Sequence, residues 1–403
     1  MSTSLPVGAH APAAAARWSA VAAVAIGAFA LVTTEFLPVG LLPQIARDLH
    51  ITEGQAGLMV TLPGFLAALA APLTIGFTGR FDRRHVLMFL MGLLVLSNAL
   101  VALANHVAVL LAGRVLLGVA VGGFWTIGGS LGPRLRHGAE GIRATSIIFS
   151  GVSLGTVAGV PAGALVGELI GWRWSFAASS VMAIVVLGAL ALWLPSIKAE
   201  SSNGLKHVPV VLKQRTAQVG FLAAVLIFVG QFASYTYITP FLNQVTHIDA
   251  SSVSIILLGY GVTGFVGNLL GGWSAGRNVR WALAVTAMLI GAPVLLLALT
   301  GSSALAAVTW VLLWGLGFGM LPIAMQTWLF SAAPDRLESM AALFVSIAQA
   351  AIGVGALVGG LTVDSWGVTA TMWLGGALAV GTAFIIHRSQ HGRPPSDVEL
   401  EPA

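Results

Sequence analysis

The sequence predicts an all-α membrane protein in which twelve transmembrane helices form two pseudo-symmetric six-helix bundles. Three observations predict this fold class: the composition, the number of long apolar runs and two motifs that recur half a chain apart. Of the 403 residues, 57% are hydrophobic and 8% are charged, whereas a soluble domain carries about 25% charged residues. Too few charges remain to cover a water-facing surface, so the chain is expected to lie in a lipid bilayer.

Twelve apolar runs are long enough to cross a bilayer as helices, which takes about 20 residues each. The predicted spans are 18–42, 54–78, 85–104, 107–133, 141–168, 173–194, 217–243, 251–273, 281–300, 303–331, 337–362 and 367–387. The first run is too long for the apolar region of a signal peptide, so it is interpreted as a retained span.

The lysines and arginines between the runs predict the orientation of the chain. Arg114 lies inside the fourth run, and Arg47 and Arg173 lie on the side opposite the N-terminus. The remaining lysines and arginines lie on the N-terminal side, and such residues mark the cytoplasmic side of a membrane protein. Both termini are therefore predicted to be cytoplasmic. Because these charges form no single patch, a nucleic-acid partner is not expected.

The two halves of the chain resemble each other. The pair Gly79-Arg80 at the end of the second run recurs as Gly276-Arg277 at the end of the eighth, and the segment GALVG occurs at 163–167 and 355–359. Repeated halves are typical of secondary transporters, whose substrate site lies between the repeats. The predicted division is an N-terminal tail (1–17), a six-helix bundle (18–194), a cytoplasmic linker (195–216), a second bundle (217–387) and a C-terminal tail (388–403).

Glu35, in the segment TTEFLPVG (33–40), and Arg114 are the two ionisable side chains that we place deep inside the apolar runs. An ionisable group at this depth is costly, so a functional role is the default hypothesis. At 1.5 Å per residue, both residues are predicted to lie roughly 10–13 Å below the outer end of their helices, where they could meet. Glu35 would then be a protonatable group influenced by Arg114. The alternative is a permanent structural ion pair between the two side chains.

The fifth run contains Gly155, Gly159 and Pro161. Glycines four residues apart form a smooth helix face that permits close packing, and a proline can bend the helix. We expect this face to contact a span of the other half and to help seal one conformation. Ordinary close packing without a role in transport is the alternative.

Polar and aromatic side chains inside the runs are candidates for a substrate cavity, because such a cavity combines apolar walls with a few polar groups. Gln231 and Tyr235 are four residues apart and share a helix face. Each candidate could equally form a hydrogen bond between helices. Since Glu35 is the one carboxylate at this depth, a neutral substrate is favoured. The candidates are Asn98, Trp125, Gln231, Tyr235, Tyr237, Asn268, Gln326 and Gln349.

Several enzyme-like patterns are interpreted as chance matches in a chain with 49 glycines. GxSxG occurs at 128–132 and 151–155, and GxGxxG occurs at 259–264, but all three lie in or at the end of apolar helices and lack the preceding strand that these motifs require. The sequence contains neither a Walker A lysine motif nor HExxH, and it has no cysteine. We therefore expect no enzyme activity, no cofactor and no metal site.

Several segments resemble those of the major facilitator superfamily, in particular its twelve-span drug:proton antiporter branch. They are LLAGRVLLGVAVGG (110–123), the glycines of the fifth run with Pro161, and GFTGRFDRRHVLM (76–88). Within that branch, TTEFLPVGLL (33–42), Phe124-Trp125 and YTYITPFL (235–242) resemble bacterial sugar-efflux and arabinose-efflux permeases and purine-nucleoside exporters. The resemblance covers residues 18 to 387.

The resemblance implies a monomer of the major facilitator fold in the bacterial inner membrane, in contact with lipid. It implies export of small neutral molecules, such as sugars, nucleosides or drugs, in exchange for protons by alternating access, with Glu35 and Arg114 coupling the proton. Uptake with protons, or uncoupled diffusion, stays open as an alternative. Asp82, Arg83 and Arg84 would gate the cytoplasmic side, although the two arginines could serve topology alone. The family usually has Asp where this chain has Arg80.

Overall fold

A computed structural model describes residues 18–78, 80–128, 130–136, 139–198, 214–332 and 337–389. Within these ranges, 12 helices are long and apolar enough to cross a membrane, which confirms the predicted number. They are α1 (Trp18–Asp48), α2 (Glu53–Thr78), α3 (Arg83–Ala102), α4 (Val107–Gly128), α5 (Ala139–Leu154, Gly155–Gly159 and Val160–Ile170), α6 (Trp172–Trp193), α7 (Arg215–Tyr235), α8 (Ala250–Arg277), α9 (Val279–Thr300), α10 (Ala304–Ala332), α11 (Leu337–Trp366) and α12 (Val368–Arg388).

The largest differences from the predicted boundaries are at three helix ends. The first helix continues to Asp48, and the fourth predicted run divides into α4 and the short helix Leu131–Leu135. The seventh helix ends at Tyr235 and is followed by a separate helix, Ile238–Gln244. Pro240 explains this break, because proline is tolerated in the first turn of a helix but not in its interior.

The helices form two groups, α1–α6 and α7–α12, as the repeated motifs predicted. In the first half, α2 packs against α4, α4 against α3, and α3 against α6. In the second half, α8 packs against α10, α10 against α9, and α9 against α12. The apolar core of the second half extends into the first through residues of α1 and α2. Most of the predicted linker (195–216) and of both tails (1–17 and 388–403) lies outside the described residues.

The two halves meet mainly where α2 packs along α11, α5 along α8, and α1 against the short helix Ile238–Gln244. Many of these contacts lie near the end of the bundle where α1 finishes, α2 begins and α11 finishes, which we call the far end because α1 begins and α12 finishes at the other end. The backbones of α2 and α11 touch: a Cβ on Gly64 would lie 2.7 Å from the Gln349 carbonyl and from the Gly353 amide nitrogen.

Helix α5 contains a π turn, Gly155–Gly159, and its glycines face α1. A Cβ on Gly155 would lie 3.0 Å from Cβ of Val32, and one on Gly159 would lie 1.9 Å from Oγ1 of Thr33. The predicted close contact therefore exists, but its partner is a helix of the same half. The prediction of a partner in the other half is wrong, because α1 occupies the glycine face.

A neighbouring face of α5 makes the contact with the other half. There, Gly261 of α8 lies so close that its Cβ would be 2.5 Å from Cα of Val157. Pro161 follows the π turn at the start of the Val160–Ile170 segment, where its missing amide hydrogen is not needed. The interruption of α5 therefore lies at the residues that the sequence singled out.

Candidate functional site

Arg114, on α4, is completely buried, and its guanidinium donates three hydrogen bonds to main-chain carbonyls. Nε donates to the carbonyl of Met59 on α2 at 2.6 Å. Nη1 and Nη2 donate to the carbonyls of Thr34 and Glu35 on α1, both at 2.9 Å. The planar fork of the guanidinium suits it to several acceptors at once. Arg114 therefore joins three helices of the first half.

Prolines explain why two of these carbonyls need an outside donor. In an α-helix each carbonyl accepts from the amide four residues later, and proline has no amide hydrogen. Pro38 lies four residues after Thr34, and Pro63 lies four residues after Met59. Arg114 supplies both missing donors, as a proline within a transmembrane helix requires of its surroundings.

Glu35 meets Arg114 through its main chain rather than through its carboxylate. No ion pair within 4.0 Å joins the two side chains, both of which are described. The alternative of a structural ion pair between them is therefore wrong, because the backbone occupies the guanidinium. The carboxylate, on a residue 3% exposed, has the side chain of Gln349 on α11 as its hydrogen-bonding partner. It therefore connects the two halves.

Asn98 belongs to the first half alone. Its side chain, fully buried on α3, donates to Oγ1 of Thr34 at 3.2 Å. Thr34 and Glu35 are adjacent and so point in directions about 100° apart around the helix. Thr34 faces α3 within its own half, whereas Glu35 faces α11. Asn98 therefore forms a hydrogen bond between helices of the first half.

An aromatic cluster, defined as Phe36, Phe232, Tyr235, Tyr260, Trp314 and Phe318, includes the residue that follows Glu35 on α1. Phe36 of α1 stacks on Phe232 of α7 with ring centroids 5.4 Å apart, so the cluster crosses between the halves. Tyr235 stacks on Tyr260 of α8 at 4.9 Å.

Gln231 hydrogen-bonds two members of this cluster that belong to the second half of the molecule. Its Nε2 donates to the Tyr260 hydroxyl at 2.9 Å, and its Oε1 accepts from Nε1 of Trp314 at 2.7 Å. The predicted pair Gln231 and Tyr235 is thus brought together. Sequence reasoning missed Tyr260, which lies in the glycine-rich segment 259–264 that was considered only as a chance motif.

Comparison with known proteins identifies the family. The family model described as Major Facilitator Superfamily matches residues 24–351 and 220–402. The chain belongs to the major facilitator superfamily. It is 36% identical over 370 residues to the purine ribonucleoside efflux pump NepI of Escherichia coli (strain K12), covering 92% of this chain and 93% of that protein. The match to the protein of the same name from Shigella flexneri has the same identity and coverage.

Solved transporter structures share the fold. The human organic anion transporter MFSD10 (TETRAN) aligns with a TM-score of 0.70 and 16% identity, over 92% of this chain and 99% of that one. A bacterial homologue of the human lysosomal transporter Spinster, inward-facing and occupied, aligns with a TM-score of 0.70 and 15% identity, over 92% and 94%. The chain is therefore a multi-pass membrane transporter for the efflux of small molecules, and not an enzyme.

Tyr237 lies at the far-end contact between the halves of this transporter. Its hydroxyl donates to the Ala356 carbonyl on α11 at 2.9 Å, and a Cβ on Gly57 of α2 would lie 1.9 Å from the same oxygen. Its position between α2 and α11 leaves it fully buried. This predicted cavity residue therefore packs between helices, because the break after Tyr235 turns it toward α11.

Asp364 strengthens the far-end contact and was not found from the sequence. This α11 carboxylate accepts from Oγ1 of Thr52 at 2.8 Å and from the amide of Gly54 at 3.1 Å. Both donors lie at the start of α2. A carboxylate in this position satisfies an orphan amide and complements the dipole of the helix. Here the capping residue comes from the opposite half of the molecule.

The predicted gating residues connect helices of the first half. Asp82 caps α3 by accepting from the Arg84 amide at 2.8 Å, and it accepts from the Ile197 amide at 3.0 Å. Nη1 of Arg83 donates to Oγ1 of Thr78 at 2.9 Å, and the Arg84 side chain donates to a carbonyl of α6. In this conformation, these contacts tie the start of α3 to α2 and α6.

Trp125, Asn268 and Gln326 are not among the side chains that interact with the Glu35 carboxylate. Trp125 is half-buried and stacks on Phe149 at 5.8 Å within the first half. Asn268 on α8 and Gln326 on α10 are also half-buried. The structure thus brings Gln231, Tyr235 and Gln349 toward the boundary between the halves and leaves these three as separate predictions.

Proposed function

We propose that this transporter exports a small neutral molecule in exchange for protons, with a purine ribonucleoside as the first candidate. The membrane would be a bacterial inner membrane with both termini in the cytoplasm. The lysines and arginines at the end that carries the termini support this orientation. The far end then faces outside, and the far-end contact holds the transporter closed to the outside.

The position of Glu35 carries the proposal of proton coupling. Its carboxylate is buried, has no cation within 4.0 Å among the described residues and is hydrogen-bonded across the boundary between the halves. A buried charge of this kind is costly, and protonation removes it. Separation of α1 from α11 during alternating access would expose the group to water on the other side. Glu35 would then take up a proton outside and release it inside.

Two observations support a purine ribonucleoside as the exported molecule. NepI, a purine ribonucleoside efflux pump by name, is 36% identical along nearly the whole chain. The aromatic cluster supplies flat apolar faces from both halves. Aromatic faces pack favourably on a planar ring such as a purine base.

Proton release on ligand addition tests the proposal. Purified protein in weakly buffered detergent solution is mixed with guanosine, a pentose or a hexose, and the change in pH is recorded. We expect guanosine to release protons from the wild type and not from Glu35→Gln. The control Glu140→Gln changes a carboxylate that pairs with Arg136 outside the site, and it should behave as the wild type. Guanosine binding without proton release from the wild type would refute proton coupling.

A further inference from the structure

Two buried oxygen atoms at the boundary between the halves have no hydrogen-bond partner among the described residues. They are Oε1 of Glu35 and Oε1 of Gln349. Their residues are 3% and 8% exposed, and the two side chains hydrogen-bond each other. An unsatisfied buried acceptor is costly, so a site with two of them is suited to a ligand that brings hydrogen-bond donors.

The chemistry of the two groups determines which atoms form their mutual bond. An ionised carboxylate can only accept, and an amide donates through its nitrogen. The amide nitrogen of Gln349 is therefore the group that donates to the ionised carboxylate of Glu35, and the amide oxygen is left as a free acceptor. A protonated Glu35 gains one O–H donor, and the Gln349 amide oxygen can accept from it when the amide group turns.

We propose that Gln349 makes the binding of substrate and the binding of the proton exclusive. With Glu35 ionised, Oε1 of Gln349 accepts from a hydroxyl or amino group of the substrate. With Glu35 protonated, the same oxygen accepts from the carboxyl group and is no longer available. This inference rests on the proposed function and assigns its coupling to one side chain on the opposite half.

The surroundings of the pair favour this exchange at Gln349. Arg114 of α4 is the charged side chain that acts on Glu35, and each of its three nitrogen atoms donates to a main-chain carbonyl. The described parts of α2 and α7 contribute no charged side chain to the interactions of Glu35. The backbone of Gln349 is held against Gly64 of α2. The proposed exchange therefore requires a rotation of the side-chain amide and no movement of the helix.

The test compares Gln349→Leu with the wild type, Glu35→Gln and the control Gln44→Leu, which removes a half-buried glutamine of α1 that is not a cavity candidate. Guanosine binding is measured by calorimetry at several pH values, together with the protons released per molecule bound. An infrared carboxyl band that is lost in Glu35→Gln reports protonation of Glu35.

We expect the wild type and Gln44→Leu to bind guanosine more weakly as the pH falls and to release protons on binding. In Gln349→Leu, affinity should fall by up to about tenfold, the value of one hydrogen bond, and should lose its pH dependence while the carboxyl band still titrates. Two analogues identify the donor on the substrate: inosine lacks the amino group of guanosine, and 2′,3′-dideoxyguanosine lacks two of its hydroxyl groups. The analogue that lacks the donor should bind the wild type and Gln349→Leu with equal affinity.

The proposal is overturned if Gln349→Leu releases as many protons per guanosine as the wild type while Glu35→Gln releases none. That outcome leaves Glu35 as the coupling residue and so spares the proposed function. Absence of proton release from the wild type overturns both. Gln349→Met, which keeps an unbranched chain of similar length, replaces the leucine variant if that one does not fold.

Discussion

Removal of the Arg114 side chain should destabilise the first half mainly by leaving two carbonyls without donors. We expect Arg114→Met to lose the bonds to Thr34 and Met59, whose helical donors are absent because of Pro38 and Pro63. Restoring those amides with Pro38→Ala and Pro63→Ala should then rescue the arginine variant. In the wild type, the same two substitutions should bring no comparable gain, because Arg114 already occupies both carbonyls.

The expected magnitude follows from the number of orphaned groups. Each buried carbonyl without a donor costs about 1–3 kcal/mol, so two of them give a coupling energy of about 2–6 kcal/mol between Arg114 and the pair of prolines. The double-mutant cycle isolates this value from the change in buried charge, which is the same in both backgrounds.

Unfolding in mixed micelles by titration with sodium dodecyl sulfate, followed by tryptophan fluorescence, measures the four free energies of the cycle. The matched control replaces Pro43 and Pro72, which lie in the same two helices. The carbonyls four residues before them, those of Val39 and Ala68, do not accept from Arg114. A coupling energy below about 0.5 kcal/mol, the limit for independent sites, would refute the reasoning. Equal rescue by the control prolines would refute it as well, since helix straightening alone would then explain the gain.

Two further predictions concern carboxylates at opposite ends of the bundle. Asp364→Ala should weaken the far-end contact by about 1–2 kcal/mol, the value of a helix cap, and so raise the population of the outward-open state about five- to thirtyfold. The maleimide labelling rate of Ala56→Cys measures this population, because Ala56 is buried and the chain has no cysteine. A labelling rate in Asp364→Ala equal to that in Asp249→Ala, which removes a cap within one helix, would contradict the prediction. Asp82 is desolvated by its surroundings, but hydrogen bonds from Ser196, Ile197 and Arg84 outweigh this and lower its pKa below the ordinary 3.8. A carboxylate with a lowered pKa stabilises the folded protein at neutral pH, and this stabilisation disappears as the pH falls through the folded-state pKa. Asp82→Asn should therefore lower the melting temperature at pH 7 and leave the melting temperature unchanged at the acid limit. A difference in melting temperature that does not depend on pH would contradict this prediction.

The sequence predicted the number of spans and the two halves because both are recorded in features that are local in the chain. A helix that crosses the bilayer must be apolar for about 20 residues, and duplicated motifs survive as spacing along the chain. Glu35 and Arg114 stood out for the same reason, since ionisable groups are rare at this depth. These features depend on local composition and need no knowledge of neighbouring helices.

The partners of these residues depend on how helices rotate about their axes, which composition does not determine. The glycines of α5 looked suited to the other half, but α1 occupies them. Tyr237 was assigned to a helix continuing to residue 243, and the break at Tyr235 turned it elsewhere. One signal was present and unused: Pro38 and Pro63 each orphan a carbonyl, and a buried arginine is suited to such acceptors.

The π turn of α5 also determines the rotational phase of that helix. Its glycines face α1 in register, with contacts at Ala25, Phe29, Thr33, Leu37 and Leu41 for Gly151, Gly155, Gly159, Gly163 and Gly167 respectively. A four-residue step overshoots a full α-helical turn by about 40°, so four such steps would carry the last glycine about 160° away from the first. A π turn holds an extra residue and takes up part of this drift. Moving that turn along α5 would therefore rotate one part of the helix between α1 and α8 while the other part keeps its place.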